Sequence, residues 1–246
     1  MIYAISNQKG GSGKTTTAQA LATGAARMGR KALAIDLDAQ CNLTFSMGGN
    51  AGDVGAYELI TGQLKPGQVI QHTRQGDLIA ASSRLATADT TLTGDNRLNG
   101  LARAIKGLRS RYDVIIIDCP PSLGTLLINA LAAADRVIIP LTADIYALQG
   151  LYLLSQTIQA AQTQNPGLKV DGVLFVKHSG RTILARDLTD VIRDKCKELN
   201  MPVYKTTIRE GVAVREAQTQ RESIFDYAPK SKPAKDYAEL INEIGL

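Results

Sequence analysis

Seven short runs of apolar residues punctuate the chain, at 2–6, 31–36, 78–81, 114–118, 137–140, 170–176 and 203–206. Several are apolar at successive rather than alternate positions, as in Ile115-Ile116-Ile117, the pattern of strands buried on both faces. Between them run amphipathic stretches at 15–28, 98–110, 123–134, 147–164, 183–200 and 233–244, each long enough for a helix that covers a sheet face. The alternation is a βαβ rhythm. It predicts an α/β fold on a mostly parallel twisted sheet with helices on both faces. Positions 48–97 break the rhythm: rich in Gly, Thr, Gln and Asp, they predict short helices and loops around one strand.

Length fits that reading, because 246 residues are enough for one α/β domain and too few for two of ordinary size. A single domain over 1–246 is expected, with no helix-turn-helix extension before the first strand. With 44% hydrophobic and 21% charged residues the chain is globular. Eight Tyr, three Phe and no Trp leave an aliphatic core and argue against aromatic cages or base-stacking platforms. No run of eighteen apolar residues and no basic signal segment is found, so a cytoplasmic protein with no membrane partner is expected. Cys41, Cys119 and Cys196 are odd in number and far apart, which excludes a disulfide framework and a Cys-x-x-Cys metal pair. His72 and His178 have no ligand company at metal spacing.

The first apolar run leads straight into Asn7-Gln8-Lys9-Gly10-Gly11-Ser12-Gly13-Lys14-Thr15-Thr16 and then into a helix. Strand, glycine loop and helix N-terminus together make an anion cradle: glycines let backbone N–H groups converge, and the helix end adds partial positive charge. Lys14 can reach terminal phosphates and the Thr15 hydroxyl can ligate Mg²⁺, which points to a nucleoside triphosphate. The strict Gly-x4-Gly-Lys-[Ser/Thr] pattern fails at its first position, which is Gln8, and a lysine stands at position 9. Two further strands end in acids, at Asp36-Leu37-Asp38 and at Asp118-Cys119-Pro120-Pro121. In open parallel sheets such strand ends border the ligand crevice, where an aspartate needs Mg²⁺ or water to satisfy it.

These motifs, with 36–44, 118–124 and Tyr146-Ala147-Leu148-Gln149-Gly150, resemble the ParA/Soj-type DNA-partition ATPases of the deviant-Walker group, of the short type. The resemblance spans nearly the whole chain. It implies a P-loop NTPase fold, ATP and Mg²⁺ as ligands, and an ATP-dependent homodimer in which Lys9 reaches the partner's phosphates. It further implies that Gly10, Gly11, Ser12, Gly13, Lys14, Thr15 and Thr16 hold the nucleotide and that Asp38 positions the attacking water. Thr15, Asp38 and Asp118 would serve the Mg²⁺, Asp118 in its second sphere. Such roles suit phosphoryl transfer, which needs mainly positioning and charge neutralisation. The implied partners are non-specific double-stranded DNA and a DNA-bound ParB-like adaptor, on the nucleoid.

Charge distribution adds to this. Between 177 and 235 stand thirteen Lys and Arg against eight Asp and Glu, an excess equal to the net charge of +5 of the whole chain. Arg181, Arg186, Arg209, Arg215 and Arg221 are the candidate DNA contacts. The segment 208–217, read as a loop, departs from the family pattern, with Arg209 in place of a proline. A MinD-like ATPase that positions another cargo on a membrane or protein scaffold is the alternative. The acidic end at 236–246 would be repelled by anionic lipid and weighs against it. An iron-sulfur carrier lacks its bridging cysteines, and a tyrosine autokinase its tyrosine-rich tail.

Overall fold

The computed structural model describes residues 1–52, 54–178 and 183–246. Eight strands form one sheet: β1 (Ile2–Ile5), β2 (Ala32–Asp36), β3 (Ile70–Thr73), β4 (Gly76–Ile79), β5 (Val114–Asp118), β6 (Arg136–Leu141), β7 (Lys169–His178) and β8 (Ile208–Arg209), in the order β3-β4-β2-β5-β1-β6-β7-β8. All neighbours are parallel except the β3–β4 hairpin. The helices are α1 (Lys14–Arg27), α2 (Asn42–Ser46), α3 (Ala56–Thr61), α4 (Pro66–Val69), α5 (Ala88–Thr91), α6 (Asn96–Ile105), α7 (Thr125–Ala133), α8 (Ala147–Gln162), α9 (Ile183–Glu198), α10 (Val212–Thr219), α11 (Ile224–Tyr227) and α12 (Lys232–Ile244).

Successive apolar residues in the strands feed two separate cores, because side chains alternate between sheet faces. Ile2, Ala4, Ile115, Ile117, Val137 and Ile139 pack under α3, α6, α7 and α8, whereas Tyr3, Ile5, Val114, Ile116 and Ile138 pack under α1, α11 and α12. Both faces are thus covered, and the α/β fold expected from the βαβ rhythm is the one found.

Two expectations need correction. The polar stretch 48–97 holds two strands, not one: β3 is a half-exposed edge strand whose Gln71, His72 and Thr73 hide it from an apolar pattern. The last strand is β8, beyond 203–206. Val203 makes a single bridge to Val173, with the Tyr204 N–H donating to the Val173 carbonyl at 3.0 Å, after which the N–H groups of Lys205 and Thr206 donate to the Glu243 carboxylate at 2.8 and 3.0 Å instead of to a strand. The segment 208–217 is β8 and the start of α10 rather than a loop.

Candidate functional site

Ile5, Asp36 and Asp118 are level in register at the carboxyl ends of β1, β2 and β5. From β1 the chain goes to β2 on one side of the sheet, and β6 flanks it on the other, so the crevice opens at the end of β1. There the loop 6–13 turns into α1. Gly11 and Gly13 have φ of 70° and 81°, the left-handed region, and a Cβ on Gly13 would come 3.2 Å from Val176 Cγ2, so both demands favour glycine. Asn7 braces the loop: its Nδ2 donates to the Pro140 carbonyl at 2.6 Å and its Oδ1 accepts the Lys9 N–H at 3.0 Å. The Ser12 hydroxyl is buried and has no partner among the described residues. Lys14, 7% exposed, donates from Nζ to the Lys9 carbonyl at 3.1 Å. Burial draws its pKa below the ordinary lysine value, against the pull of Asp118 and Asp38.

The two strand-end carboxylates differ. Asp36 is buried but satisfied, accepting the Thr44 N–H and hydroxyl at 2.8 Å each and the Asp38 N–H at 3.0 Å. Burial still raises its pKa to about 6. It anchors the turn that carries Asp38 and α2. Asp118 is 0% exposed, and among the described residues neither carboxylate oxygen has a hydrogen-bond partner. Burial and the neighbouring Asp36 push its pKa well above the carboxylate range, with Thr15 and Lys14 pulling the other way. An unsatisfied buried carboxylate is costly in the chain alone and is relieved by a cation or its water. Asp38 lines the crevice, and its carboxylate accepts only the Gln40 N–H, at 3.0 Å, among the described residues.

Over the loop and α1 lies an open cavity of about 500 Å³, walled by Gly10 to Thr16 and Asp38 on one side and by Val176, Lys177, Ile208 to Gly211, Val214, Gln218 and Tyr237 on the other. Lys9 is held apart from it, its Nζ 2.6 Å from Asp144 Oδ2 with both side chains part-exposed. Cys119 is buried beneath the loop, while Cys41, half-buried, sits at φ 55° before α2.

An AAA-domain family matches residues 1–170. The sporulation initiation inhibitor protein Soj of Bacillus subtilis is 39% identical, covering 99% of this chain and 97% of its own. The chromosome-partitioning ATPase Soj of Thermus thermophilus is 37% identical over 98% of this chain and 94% of its own. The chain belongs to the ParA/Soj family of ATPases. Among solved structures, the cobyrinic acid a,c-diamide synthase of Mycobacterium smegmatis, with bound ATP analog and magnesium, superposes with a TM-score of 0.85 at 33% identity over 98% of this chain and 92% of that one.

In this ParA/Soj ATPase the loop residues Gly10 to Thr16 and Asp38 line one crevice, with Asp118 buried beside Lys14 and Thr15 and Lys9 turned out to Asp144, but the candidate DNA arginines do not form one cluster. Arg181 lies outside the described residues. Arg186 is exposed on α9, in the layer on the opposite sheet face from α10. Arg215 is exposed on α10 and borders the cavity. Arg209 is forked onto the buried Asp236 carboxylate, whose Oδ2 also accepts its backbone N–H at 2.8 Å. A proline could not supply that N–H, so the departure from the family pattern comes with its own local bond. Arg221 stacks its guanidinium 4.3 Å from the centre of the Phe45 ring on α2. The residues that sequence reading missed are those of the far wall: Lys177, Gln218 and Tyr237, together with Asp236 behind it. No local motif marks them, because their partners are remote in sequence.

Proposed function

We propose that this ATPase binds ATP with Mg²⁺ in the 500 Å³ cavity, dimerises on ATP, and hydrolyses it in a cycle that drives DNA partition from the nucleoid, in the cytoplasm. The observation that carries the reading is Asp118: a wholly buried carboxylate with two oxygens unpartnered among the described residues, beside Lys14 and Thr15, fits a magnesium-bound phosphate. Mg²⁺, when bound, neutralises phosphate charge and orients the terminal group. The residues of this chain do the rest. The glycine loop offers backbone N–H groups, Lys14 supplies positive charge, and the Thr15 hydroxyl and Asp118 would hold the ion, Asp118 through water. Asp38 orients the attacking water, whose oxygen bonds to the γ-phosphorus as the bond to the β–γ bridging oxygen breaks, giving ADP and phosphate.

Lys9 is the assembly residue in this reading. Its pair with Asp144 is part-exposed, and such pairs are worth about 1 kcal/mol or less, so phosphate of a partner's nucleotide readily displaces it. Hydrolysis thereby depends on the dimer. The dimer doubles the basic surface of the C-terminal region, and because phosphate contacts multiply in affinity, non-specific duplex DNA is held in the dimeric state. A DNA-bound ParB-like adaptor is the partner such a cycle requires. No membrane partner is proposed: Tyr237, Leu240 and Ile241 of α12 are buried in the core, leaving no apolar face for a bilayer. The test is light scattering beside an ATPase assay with and without duplex DNA. Asp38→Ala is expected to accumulate an ATP-bound dimer and Lys9→Ala to bind ATP as a monomer; a monomeric Asp38→Ala at saturating ATP defeats the reading.

A further inference from the structure

Four cationic side chains besides Lys14 stand at or beside the cavity, and three of them are accounted for by position or partner. Lys9 is paired with Asp144 and Arg209 with Asp236, and Arg215, like Lys177 an exposed residue, lies on α10 with no bond to the phosphate loop among the described residues. Lys177 is different. It follows the buried Val176 near the end of β7, lines the cavity, and its Nζ donates to the carbonyl of Gly11, inside the phosphate loop, at 2.9 Å. That carbonyl is neutral, so among the described residues the charge has no carboxylate partner. Lys177 also holds φ at 51°, a left-handed conformation that a residue with a Cβ adopts at a cost, and this turn sets the side chain toward the loop.

We propose that Lys177 is a nucleotide-binding residue: its ammonium, parked on the Gly11 carbonyl, is the second positive charge of the phosphate site alongside Lys14. The inference rests on the ATP-binding reading of the cavity. A neutral carbonyl 166 residues away keeps the amine at the phosphate end without cancelling its charge, and an incoming polyphosphate, as an anion, is the stronger acceptor. The field at the loop then depends on Lys14 and Lys177 together. It predicts that affinity lost with Lys177 grows with phosphate charge.

Calorimetry with Mg-ATP and Mg-ADP on Lys177→Met and Lys177→Gly, beside thermal melting of the nucleotide-free proteins, tests this. Lys177→Met is expected to weaken ATP about tenfold and ADP about threefold, and Lys177→Arg to restore most of the loss. Glycine is free at this φ, so Lys177→Gly is expected to melt about 2–4 °C higher than the wild type while losing the same affinity. Opposite signs of stability and binding are the signature. If Lys177→Met binds ATP within twofold of the wild type, or if affinity falls only together with melting temperature in both variants, the proposal is overturned. A wild type that binds no ATP would instead overturn the reading of the cavity beneath it.

Discussion

The phosphate loop and the C-terminal layer face each other across the same cavity and are held by contacts of opposite range. The bonds internal to the loop are short in sequence, Asn7 to Lys9 and Lys9 to Lys14, although Asn7 also reaches Pro140 and Lys9 reaches Asp144. The far wall is bound to α1 by polar contacts that span most of the chain: Thr17 Oγ1 to the Tyr237 hydroxyl at 3.2 Å, Thr16 Oγ1 from Gln218 Nε2 at 3.2 Å, and Gln19 Nε2 to the Glu222 carbonyl at 3.2 Å. The anion cradle of the site is therefore set by ten contiguous residues, to which Asp38, Asp118 and Lys177 add their charges, whereas its shape depends on a layer that meets them only after the whole sheet has formed. Chemistry and enclosure are separable, and substitutions in the two regions should differ in kind.

The largest effect is expected in the loop. Lys14→Ala removes the buried cation nearest the phosphates, and truncating one partner of a desolvated charge pair costs about 2–5 kcal/mol. ATP affinity should fall by about two orders of magnitude or more while the nucleotide-free fold melts as before. Calorimetry that finds wild-type affinity would break the assignment of charge to the loop.

Asp118→Asn comes next, and its sign is diagnostic. Both Asp36 and Asp118 have pKa values raised by burial, so the folded chain holds protons that the unfolded chain releases. Stability from these groups is present below about pH 4 and is lost as pH rises, through about 6 for Asp36. Removing the unsatisfied charge should raise the melting temperature of the nucleotide-free protein by roughly 4–8 °C at pH 8, with the gain shrinking toward pH 4, and should abolish Mg-ATP hydrolysis. A melting temperature that falls at pH 8 would show that Asp118 is satisfied without a ligand.

What the sequence made legible follows the same division. The sheet core could be read because aliphatic runs such as 114–118 admit few alternatives to a doubly covered strand, and the loop because strand, glycines, Lys14 and Thr15 are contiguous. β3 was hidden because an edge strand need not be apolar on either face. Tyr237 and Gln218 were hidden for another reason: each belongs to a helix whose pattern reports burial, and nothing local reports that a hydroxyl or amide meets α1 some 200 residues earlier. Arg209 and Arg221 read as free surface charge because Asp236 and Phe45 lie far from them along the chain.

Tyr237→Phe probes the enclosure with a smaller change. Loss of one buried hydroxyl bond to Thr17 should cost about 1 kcal/mol and lower the melting temperature by about 2–4 °C. ATP affinity should drop only about two- to threefold, since no charge is touched. A loss as large as that of Lys14→Ala would mean that the wall, and not the loop, supplies the binding energy.

Arg215 carries the smallest expected effect and divides the two regions most finely, because it is exposed on α10 yet borders the cavity. If it serves the basic surface, Arg215→Ala should leave ATP affinity unchanged and weaken duplex DNA binding equally across sequences. Removing a single cation from a DNA phosphate lowers the slope of log affinity against log salt by about 0.9, so the ATP-bound dimer, which carries the residue twice, should show a slope shallower by nearly two units. If it instead serves the nucleotide, ATP affinity should fall while the salt slope stays as in the wild type. DNA titrations at several salt concentrations beside ATP calorimetry distinguish these outcomes in one variant. We expect the first, because Lys14 and Lys177 already have their amines on the backbone of the phosphate loop, whereas Arg215 is an exposed residue of α10.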